Sequence, residues 1–296
     1  MWFVLGLAAL AAVSTFSNFI LGHKLLPLPL VMGIRFTISG LILLGYQFWF
    51  NRNNFKINHT LIKDYSLVCL FGFIVPQVIW GIVTYSLPNA ETSLIMSLEP
   101  LTIGLILILF YRVKLSPRQL SALIICTITL LTITFFEVQI ERAVMFSHLG
   151  AMTLLIMASC GYGWLVISEL TRKGEPGIMI TGIGALACGI AGLIIFAFTS
   201  QPQPIVFDLE TAVLITLLII CGEIMLHRMR TNLTEKFSPI FLSTLNFFTP
   251  FILVLSEVVF FNRPVSSGFF ILIIPALLFT YIFYQEELRL TKNSKN

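Results

Sequence analysis

Long apolar runs follow one another along almost the entire sequence. A helix crosses a hydrocarbon core of roughly 30 Å with about 17–25 residues, and each run is of that length. Lipid-spanning strands alternate apolar and polar positions, whereas these runs are apolar on every side and satisfy their backbone groups best as helices. The pattern predicts an all-α integral membrane protein with ten transmembrane helices, at about 2–22, 28–50, 65–87, 90–111, 120–136, 149–167, 178–199, 211–229, 240–261 and 268–284.

Charged residues are scarce and unevenly placed. The 296-residue chain is 57% hydrophobic and 11% charged, with a mean hydropathy of +0.95, whereas soluble domains carry about 25% charged residues. The net charge is +4, but the basic residues lie between apolar runs, so they indicate topology rather than nucleic-acid binding. With the N-terminus in the cytoplasm, fourteen of the 18 Lys and Arg residues are cytoplasmic. We expect one domain, 1–296, in the bilayer of a bacterial inner membrane, as a monomer or weak dimer, with both termini and the tail 285–296 cytoplasmic.

The two halves of the sequence match each other at an offset of about 150 residues. The matched pairs are Lys24 and Lys173, Pro27 and Pro176, Gly33 and Gly182, and Pro100 and Pro250. Five spans in each half force the halves into opposite orientations. The sequence therefore predicts two inverted five-helix repeats, at about 1–147 and 148–290.

The motifs of these halves resemble a known family. The stretch 89–101, with the loop 115–119 that follows, is similar to the fourth helix and following loop of the EamA-type, ten-helix members of the drug/metabolite transporter superfamily. The stretch 238–266 resembles the second copy of that motif, Arg35 matches an arginine frequent in helix two, and 148–150 resembles the entry to helix six. The resemblance covers nearly the whole chain and implies a secondary transporter with a central cavity between its halves.

One motif of that family is missing. Relatives often carry a Gly-Glu pair just before the loop after helix four. Arg112 and Val113 stand at those positions, and Asn262 and Arg263 stand at the equivalent positions of the second copy. The function of that glutamate in relatives is therefore not carried over to this chain.

Two acids lie deep within predicted spans, where a charge costs about 2.5–3.5 kcal/mol and should face the interior of the bundle. Glu99 precedes Pro100 in span four and could bind a cationic group or exchange a proton; the alternative is a protonated structural acid. Glu223 and His227 share a face of span eight at i, i+4. They line the pathway or form a buried structural pair. Glu99 and Glu223 are the candidates for proton coupling.

Several neutral side chains complete the predicted substrate-binding set. Gln77 and Trp80 share a face of span three, and the repeat places them opposite His227 and Arg230 of span eight. The alternative for each aromatic residue is ordinary packing or a position in an interfacial belt. The further candidates are Tyr162, Trp164 and Asn246.

A second pair of charges has a structural interpretation. Arg35 and Glu91 lie at similar shallow depths in spans two and four, and we expect a structural ion pair between them. The sequence contains no phosphate-binding loop, zinc motif or nucleophile elbow. We therefore expect no cofactor, no metal and no enzymatic activity.

A binding site with both carboxylates and cations suits a zwitterion. The predicted function is secondary transport of a small polar or zwitterionic metabolite, such as an amino acid, by alternating access. One alternative is an adenosylmethionine- or nucleotide-like solute. Alternatives of other classes are an intramembrane enzyme acting on lipid, for which only Glu223 and His227 are suggestive, and a receptor or scaffold without flux.

Overall fold

A computed structural model gives the architecture. It describes residues 6–7, 9–11, 13–14, 17, 20–21, 26–52, 59–86, 99–109, 111–112, 115–132, 148–199, 208–234, 237–244, 258, 274–275, 278 and 280–289. These residues are helical apart from short connections, and they include no strand.

Eight helices can be followed in the described part of the chain. Two of them, α2 and α7, consist of three consecutive segments each. The helices are α1 (Leu28–Phe50), α2 (Ile62–Leu67, Val68–Ile74 and Val75–Ser86), α3 (Glu99–Leu109), α4 (Pro117–Thr132), α5 (His148–Arg172), α6 (Gly177–Thr199), α7 (Leu209–Leu217, Leu218–Leu226 and His227–Thr234) and α8 (Pro239–Thr244). A further helical stretch covers 280–289.

Local signals fix where several helices begin. The Asp208 side chain accepts a hydrogen bond from the Thr211 backbone amide at 2.8 Å and caps α7. At the start of α4, the Ser116 hydroxyl accepts from the Gln119 amide, and the Gln119 side chain accepts from the Ser116 amide, as in a capping box. The α5–α6 turn passes through Gly174 at a φ of 89°, which glycine adopts without steric cost.

The middle segments of α2 and α7, Val68–Ile74 and Leu218–Leu226, are π-helical. Such segments are rare and frequently lie at functional sites. Each contains one glycine, Gly72 or Gly222, at which another helix approaches. Gly72 lies against Gly163 of α5, and Gly222 lies against Ser14.

Among the described helices, α1 and α6 pack most closely, along their whole length. Gly33 lies against Leu193, and Gly40 lies against Leu186, so the two helices run antiparallel. A Cβ added to Gly40 would come within 2.6 Å of the Leu186 backbone nitrogen. Glycine at such positions lets two helix backbones approach closely in a membrane. The largest buried cluster lies between this pair, α2 and α5, and includes Phe36 and Ile180.

The described helices agree with the hydropathy pattern. Five of them are long and apolar enough to cross a membrane: Leu28–Phe50, Ile62–Trp80, Ala151–Arg172, Gly177–Thr199 and Leu209–Thr234. The chain is therefore a multi-pass, all-α protein, as predicted. Much of the first, fourth, ninth and tenth predicted spans lies outside the described residues, so the number ten stays a prediction.

Candidate functional site

A cluster of buried polar side chains joins α1, α2 and α7. The Arg35 guanidinium donates from Nη2 to Oε1 of Gln77 at 2.5 Å, and its Nε lies 3.7 Å from Oε1 of Glu223. The other carboxylate oxygen of Glu223, Oε2, lies 3.8 Å from Nδ1 of His227. The Arg35 and Glu223 side chains are only 6% and 7% exposed, so their charges balance each other away from water.

His227 is held by its backbone neighbour and by two rings. Its Nδ1 lies 3.0 Å from the carbonyl oxygen of Gly222. Because a carbonyl oxygen only accepts, the hydrogen bond forms when Nδ1 carries a hydrogen. Phe73 stacks on the imidazole with centroids 5.5 Å apart, and Trp164 lies at 5.7 Å.

A second, part-buried ion pair joins α3 to α7, with Glu99 buried and Arg230 14% exposed. Arg230 Nη2 donates to Oε1 of Glu99 at 3.0 Å, within ordinary hydrogen-bond distance. The Arg230 guanidinium also lies over the Trp164 ring, 3.9 Å from its centroid, which is a cation–π arrangement. Trp164 thus contacts both His227 and Arg230 and connects the two ion pairs.

The arrangement holds two guanidiniums and two carboxylates in one buried region. Arg35 comes from α1, Glu99 from α3, and Glu223 and Arg230 from α7, each within or beside a long apolar helix. Such a region can bind a solute that carries both charges by exchanging one internal partner for one solute group. Among the described residues, no group of three His, Cys, Asp or Glu side chains could hold a metal ion.

Five of the predicted substrate-binding residues lie in this region: Gln77, Glu99, Trp164, Glu223 and His227. Two others lie in different surroundings. Trp80 packs on the apolar cluster around Ile156, and Tyr162 makes an edge-to-face contact with Phe71 at 5.5 Å.

Part of the predicted set lies outside the described residues. Asn246 is one such residue. Glu91 is another, so the expected Arg35–Glu91 pair stays a prediction, and the described partners of Arg35 include Gln77 and Glu223.

Two features of the site were absent from the predicted set. Phe73, on which His227 stacks, is an ordinary apolar residue of an apolar run, and no sequence signal distinguishes it. Arg230 is the second, a basic residue near the predicted cytoplasmic end of span eight. Its spacing of i+7 from Glu223 already placed it on the polar face of α7.

Polar contacts also join two elements at one end of the bundle. Lys173 Nζ pairs with Asp64 Oδ2 at 2.8 Å, which raises the pKa of the exposed Lys173 ammonium, and Tyr65 donates to Glu175 Oε2 at 2.7 Å. These contacts join the start of α2 to the α5–α6 turn.

A second group of contacts involves the 280–289 stretch. The Glu287 carboxylate accepts from the Ser238 amide at 2.6 Å and from Gln119 Nε2 at 3.2 Å. All these residues lie at predicted cytoplasmic ends of spans.

A cavity of about 460 Å³ lies elsewhere, on the surface formed by α2 and α6. It is lined mainly by apolar side chains, including Ile62, Cys69 and Ile183. None of its lining residues belongs to the polar cluster. Its apolar lining and its position on the outside of two transmembrane helices suit contact with lipid.

Arg112 is one of the departures from the family motif, and its backbone geometry is the one that glycine favours. Its φ is 53°, in the left-handed region that glycine adopts without cost. The glycine that relatives often carry at this position is therefore the residue that the backbone geometry favours. Arg112 retains that geometry with a bulky side chain.

Comparison with known proteins is consistent with this architecture. Residues 1–135 match the model of the EamA-like transporter family. A crystal structure of a protein with 17% sequence identity covers 96% of this chain, which covers 96% of that one, at a TM-score of 0.74; this likeness concerns the fold alone. No curated protein matches the chain. The described helices are thus those of a multi-pass membrane protein, and residues 1–135 of the chain are similar to the EamA-like transporter family of the drug/metabolite transporter superfamily.

Proposed function

We propose that this chain is a secondary transporter that moves a small zwitterionic metabolite, such as an amino acid, across the bacterial inner membrane by alternating access. The observation that carries the proposal is the buried region in which Arg35, Glu223, Glu99 and Arg230 form two ion pairs. Buried ion pairs contribute little net stability, because the cost of desolvating both charges offsets much of their attraction. Charges in the interior of a transmembrane bundle are instead typical of solute and ion pathways.

The charges favour a solute that carries both signs. A carboxylate can bind a guanidinium through two parallel hydrogen bonds, and an ammonium can bind a carboxylate. A solute with a single charge would leave one internal partner buried and uncompensated. A zwitterion replaces both partners and keeps the region neutral.

Two inverted halves, 1–147 and 148–290, are supported by the α1–α6 contact. The contact of Gly33 with Leu193 has a counterpart in that of Gly182 with Leu44, each residue shifted by 149 positions. In the same way, the contact of Gly40 with Leu186 has its counterpart in that of Gly189 with Thr37. A pseudo-two-fold axis perpendicular to two antiparallel helices produces contacts that exchange partners in this way.

The π-helical segments support the same relation. Val68–Ile74 of α2 and Leu218–Leu226 of α7 begin 150 positions apart. The contact of Gly72 with Gly163 likewise corresponds to that of Gly222 with Ser14. Ten helices, with both termini in the cytoplasm, complete this proposal.

Aromatic rings beside the charges favour a second class of solute. The His227 ring has two aromatic neighbours, Phe73 and Trp164, whose ring centroids lie 5.5 and 5.7 Å from its own. A purine base can be bound between such rings, as an aromatic amino acid can. An adenosylmethionine-like metabolite, which also carries an amino-acid group, is therefore the second candidate.

Flux through purified protein in proteoliposomes tests the proposal. Vesicles loaded with unlabelled solute are mixed with labelled L-amino acids or labelled adenosylmethionine, and accumulation of label by exchange is measured. Arg35→Gln is expected to lower the exchange rate of the transported solute by about tenfold to a hundredfold, since a charge-assisted hydrogen bond contributes about 1.5–3 kcal/mol. Arg52→Gln, at the exposed end of α1, is the matched control and should stay within about twofold of wild type.

Exchange of no solute in the panel by folded wild-type protein would contradict the proposal. Equal losses in Arg35→Gln and Arg52→Gln would also contradict the assignment of the site. Exchange of adenosylmethionine alone would establish the second candidate.

A further inference from the structure

The cavity on the surface of α2 and α6, the α2–α6 groove, follows one face of α2. Its α2 residues have the spacing of a single helix face: Ile62, Tyr65, Ser66, Cys69, Leu70 and Ile74. From Ile62 to Ile74 this face is up to about 18 Å long, at the rise of a helix. One leaflet of a hydrocarbon core of roughly 30 Å is about 15 Å deep. The groove therefore has about the length of one leaflet.

The polar atoms of the lining bind partners within the protein. The Ser66 hydroxyl donates to the Ile62 carbonyl oxygen at 2.9 Å, and the Tyr65 hydroxyl donates to Glu175 Oε2 at 2.7 Å. The groove thus presents mainly carbon atoms, and the Ile62 and Leu70 side chains are 49% and 44% exposed. Because both helices are long and apolar enough to cross a membrane, these exposed carbons suit contact with hydrocarbon.

Small side chains of α2 account for the recess. Ser66 and Cys69 line it, whereas Thr216 and Ile219 stand 150 positions farther on, in α7. Ile219 is buried in an apolar cluster. A larger side chain in α7 thus fills the position that Cys69 leaves open in α2.

Basic side chains lie at the end of the groove that the charge pattern predicts to be cytoplasmic. The exposed Lys63 follows Ile62 and precedes Ser66 by three positions, so it stands at the edge of the same helix face. Lys173 of the α5–α6 turn is 48% exposed and pairs with Asp64 at 2.8 Å. An ammonium carries three donor hydrogens, so Lys173 can bind Asp64 and a phosphate oxygen together. Basic residues in such positions attract anionic lipid head groups.

We propose that the α2–α6 groove binds one anionic phospholipid. One acyl chain lies along the lining from Ile62 to Ile74, and the phosphate lies beside Lys63 and Lys173. A soluble anion makes no use of the apolar lining, and a zwitterionic lipid brings a cation to the basic end. The site is separate from the buried polar cluster and does not depend on the transport function proposed above.

Thermal unfolding of delipidated protein in detergent measures the binding, because a ligand of the folded state raises the midpoint. Dioleoyl phosphatidylglycerol and dioleoyl phosphatidylcholine, which have the same acyl chains, are added to the micelles at increasing mole fraction. Phosphatidylglycerol should raise the midpoint at a mole fraction about tenfold lower than phosphatidylcholine, since two basic residues favour the anionic head group. Glycerol phosphate, which has the charge but no acyl chain, should leave the midpoint unchanged.

Variants locate the two parts of the lipid. Lys63→Gln should weaken phosphatidylglycerol binding about fivefold, as expected for one basic residue near an anionic surface. Arg52→Gln, at the exposed end of α1, is the matched control and should bind this lipid as wild type does. Cys69→Ile, the residue at the matching position of α7, should weaken binding about tenfold, the value for roughly two methylene groups. Ile190→Phe, on the exposed surface of α6 outside the groove, is its control.

Four results would overturn the proposal. Equal effects of the two lipids on wild type would do so, as would an effect of glycerol phosphate as large as that of the lipid. Unchanged binding by a monodisperse Cys69→Ile protein would show that the acyl chain lies elsewhere, and equal losses in Lys63→Gln and Arg52→Gln would show a general attraction to surface charge. The comparison of the two lipids on wild type needs no variant, so a misfolded variant leaves the test intact.

Discussion

At the scale of single residues, the two arginines of the site differ in the side chains that they contact. Arg230 contacts Glu99 and the Trp164 ring, whereas Arg35 contacts Gln77 and stands near Glu223. Glu99 is in hydrogen-bond contact with its guanidinium partner at 3.0 Å, whereas the Arg35 Nε atom stands 3.7 Å from Glu223. The shorter pair makes the stronger contact, so its loss should have the larger effect on stability.

Breaking the short pair from one side should destabilise the protein. Arg230→Gln leaves a buried carboxylate without its cation, at a cost of about 3–5 kcal/mol. The midpoint of thermal unfolding in detergent is expected to fall by on the order of 5–10 °C. The double variant Glu99→Gln with Arg230→Gln should recover at least half of that loss. A double variant as unstable as the sum of the single ones would show that the two side chains do not stabilise each other.

A substitution at Arg112 should instead increase the stability of the protein. A side chain in the left-handed region costs about 1–2 kcal/mol that glycine does not incur. Arg112→Gly should therefore raise the thermal midpoint by a few degrees. Arg112→Ala removes the same charge but keeps the backbone cost, so it should give no such gain. Equal midpoints for the two variants would contradict the assignment of strain to this residue.

At the scale of helices, close packing depends on particular glycines of the α1–α6 contact. A Cβ on Gly40 would meet the Leu186 backbone at 2.6 Å, whereas a Cβ on Gly45, in the same helix, would meet nothing within 4 Å. Gly40→Ala must separate two backbones, and Gly45→Ala only improves helix propensity.

Gly40→Ala should lower stability by about 1–3 kcal/mol, whereas Gly45→Ala should leave it unchanged or raise it by up to about 1 kcal/mol. Thermal unfolding of the two purified variants beside wild type measures both effects. A Gly40→Ala protein as stable as Gly45→Ala would show that the α1–α6 contact is looser than described.

Hydropathy predicted the helix boundaries well where a helix ends at the change from apolar to polar residues. The run 28–50 coincides with Leu28–Phe50, and the run 178–199 begins one residue after Gly177–Thr199 does. The run 211–229 ends before α7 does, because the last turn of α7, residues 230–234, is mostly polar, although Thr231 and Thr234 are buried. The π-helical segments could not be predicted, since an apolar run has the same composition in either helical form.

Tertiary partners were harder to predict than helices. Spacing along one helix placed Glu223, His227 and Arg230 on one face, and this was enough to select α7 as a polar helix. It could not show that Arg230 pairs with Glu99, 131 residues away, or that Gln77 holds Arg35. Those pairings depend on which helices pack together, and apolar surfaces of similar composition do not specify that.

At the scale of the molecule, polar contacts join the proposed halves at one end of the bundle. Asp64 and Tyr65 in the first half contact Lys173 and Glu175 in the second. The proposed alternating access requires these contacts to separate when that end opens. In the described conformation they are formed, at the end that the charge pattern predicts to be cytoplasmic.

A reversible cross-link tests this requirement. Asp64→Cys combined with Lys173→Cys, joined by a short thiol-specific cross-linker, should stop solute exchange in proteoliposomes, and cleavage of the linker should restore it. Each single cysteine variant, treated in the same way, is the control for modification alone and for the native cysteines. Undiminished exchange with the cross-link complete would show that this end stays closed throughout transport.

The correspondence between α2 and α7 has a consequence for the resting state. At matched positions, Glu223 in one half stands where Phe73 stands in the other, and Arg35 stands where Gly184 stands; Phe73 and Gly184 are themselves in contact. Under the proposed alternating access, identical halves would make the inward- and outward-facing forms equivalent by a two-fold rotation, with equal energies and equal occupancy. The three side chains and the glycine at these positions remove that equivalence, because the salt bridge of one half is replaced by an aromatic ring against a glycine in the other. A difference of about 1.4 kcal/mol between the two forms is already a tenfold bias, so the preferred orientation of the empty protein in the proposed cycle is determined where its halves differ most.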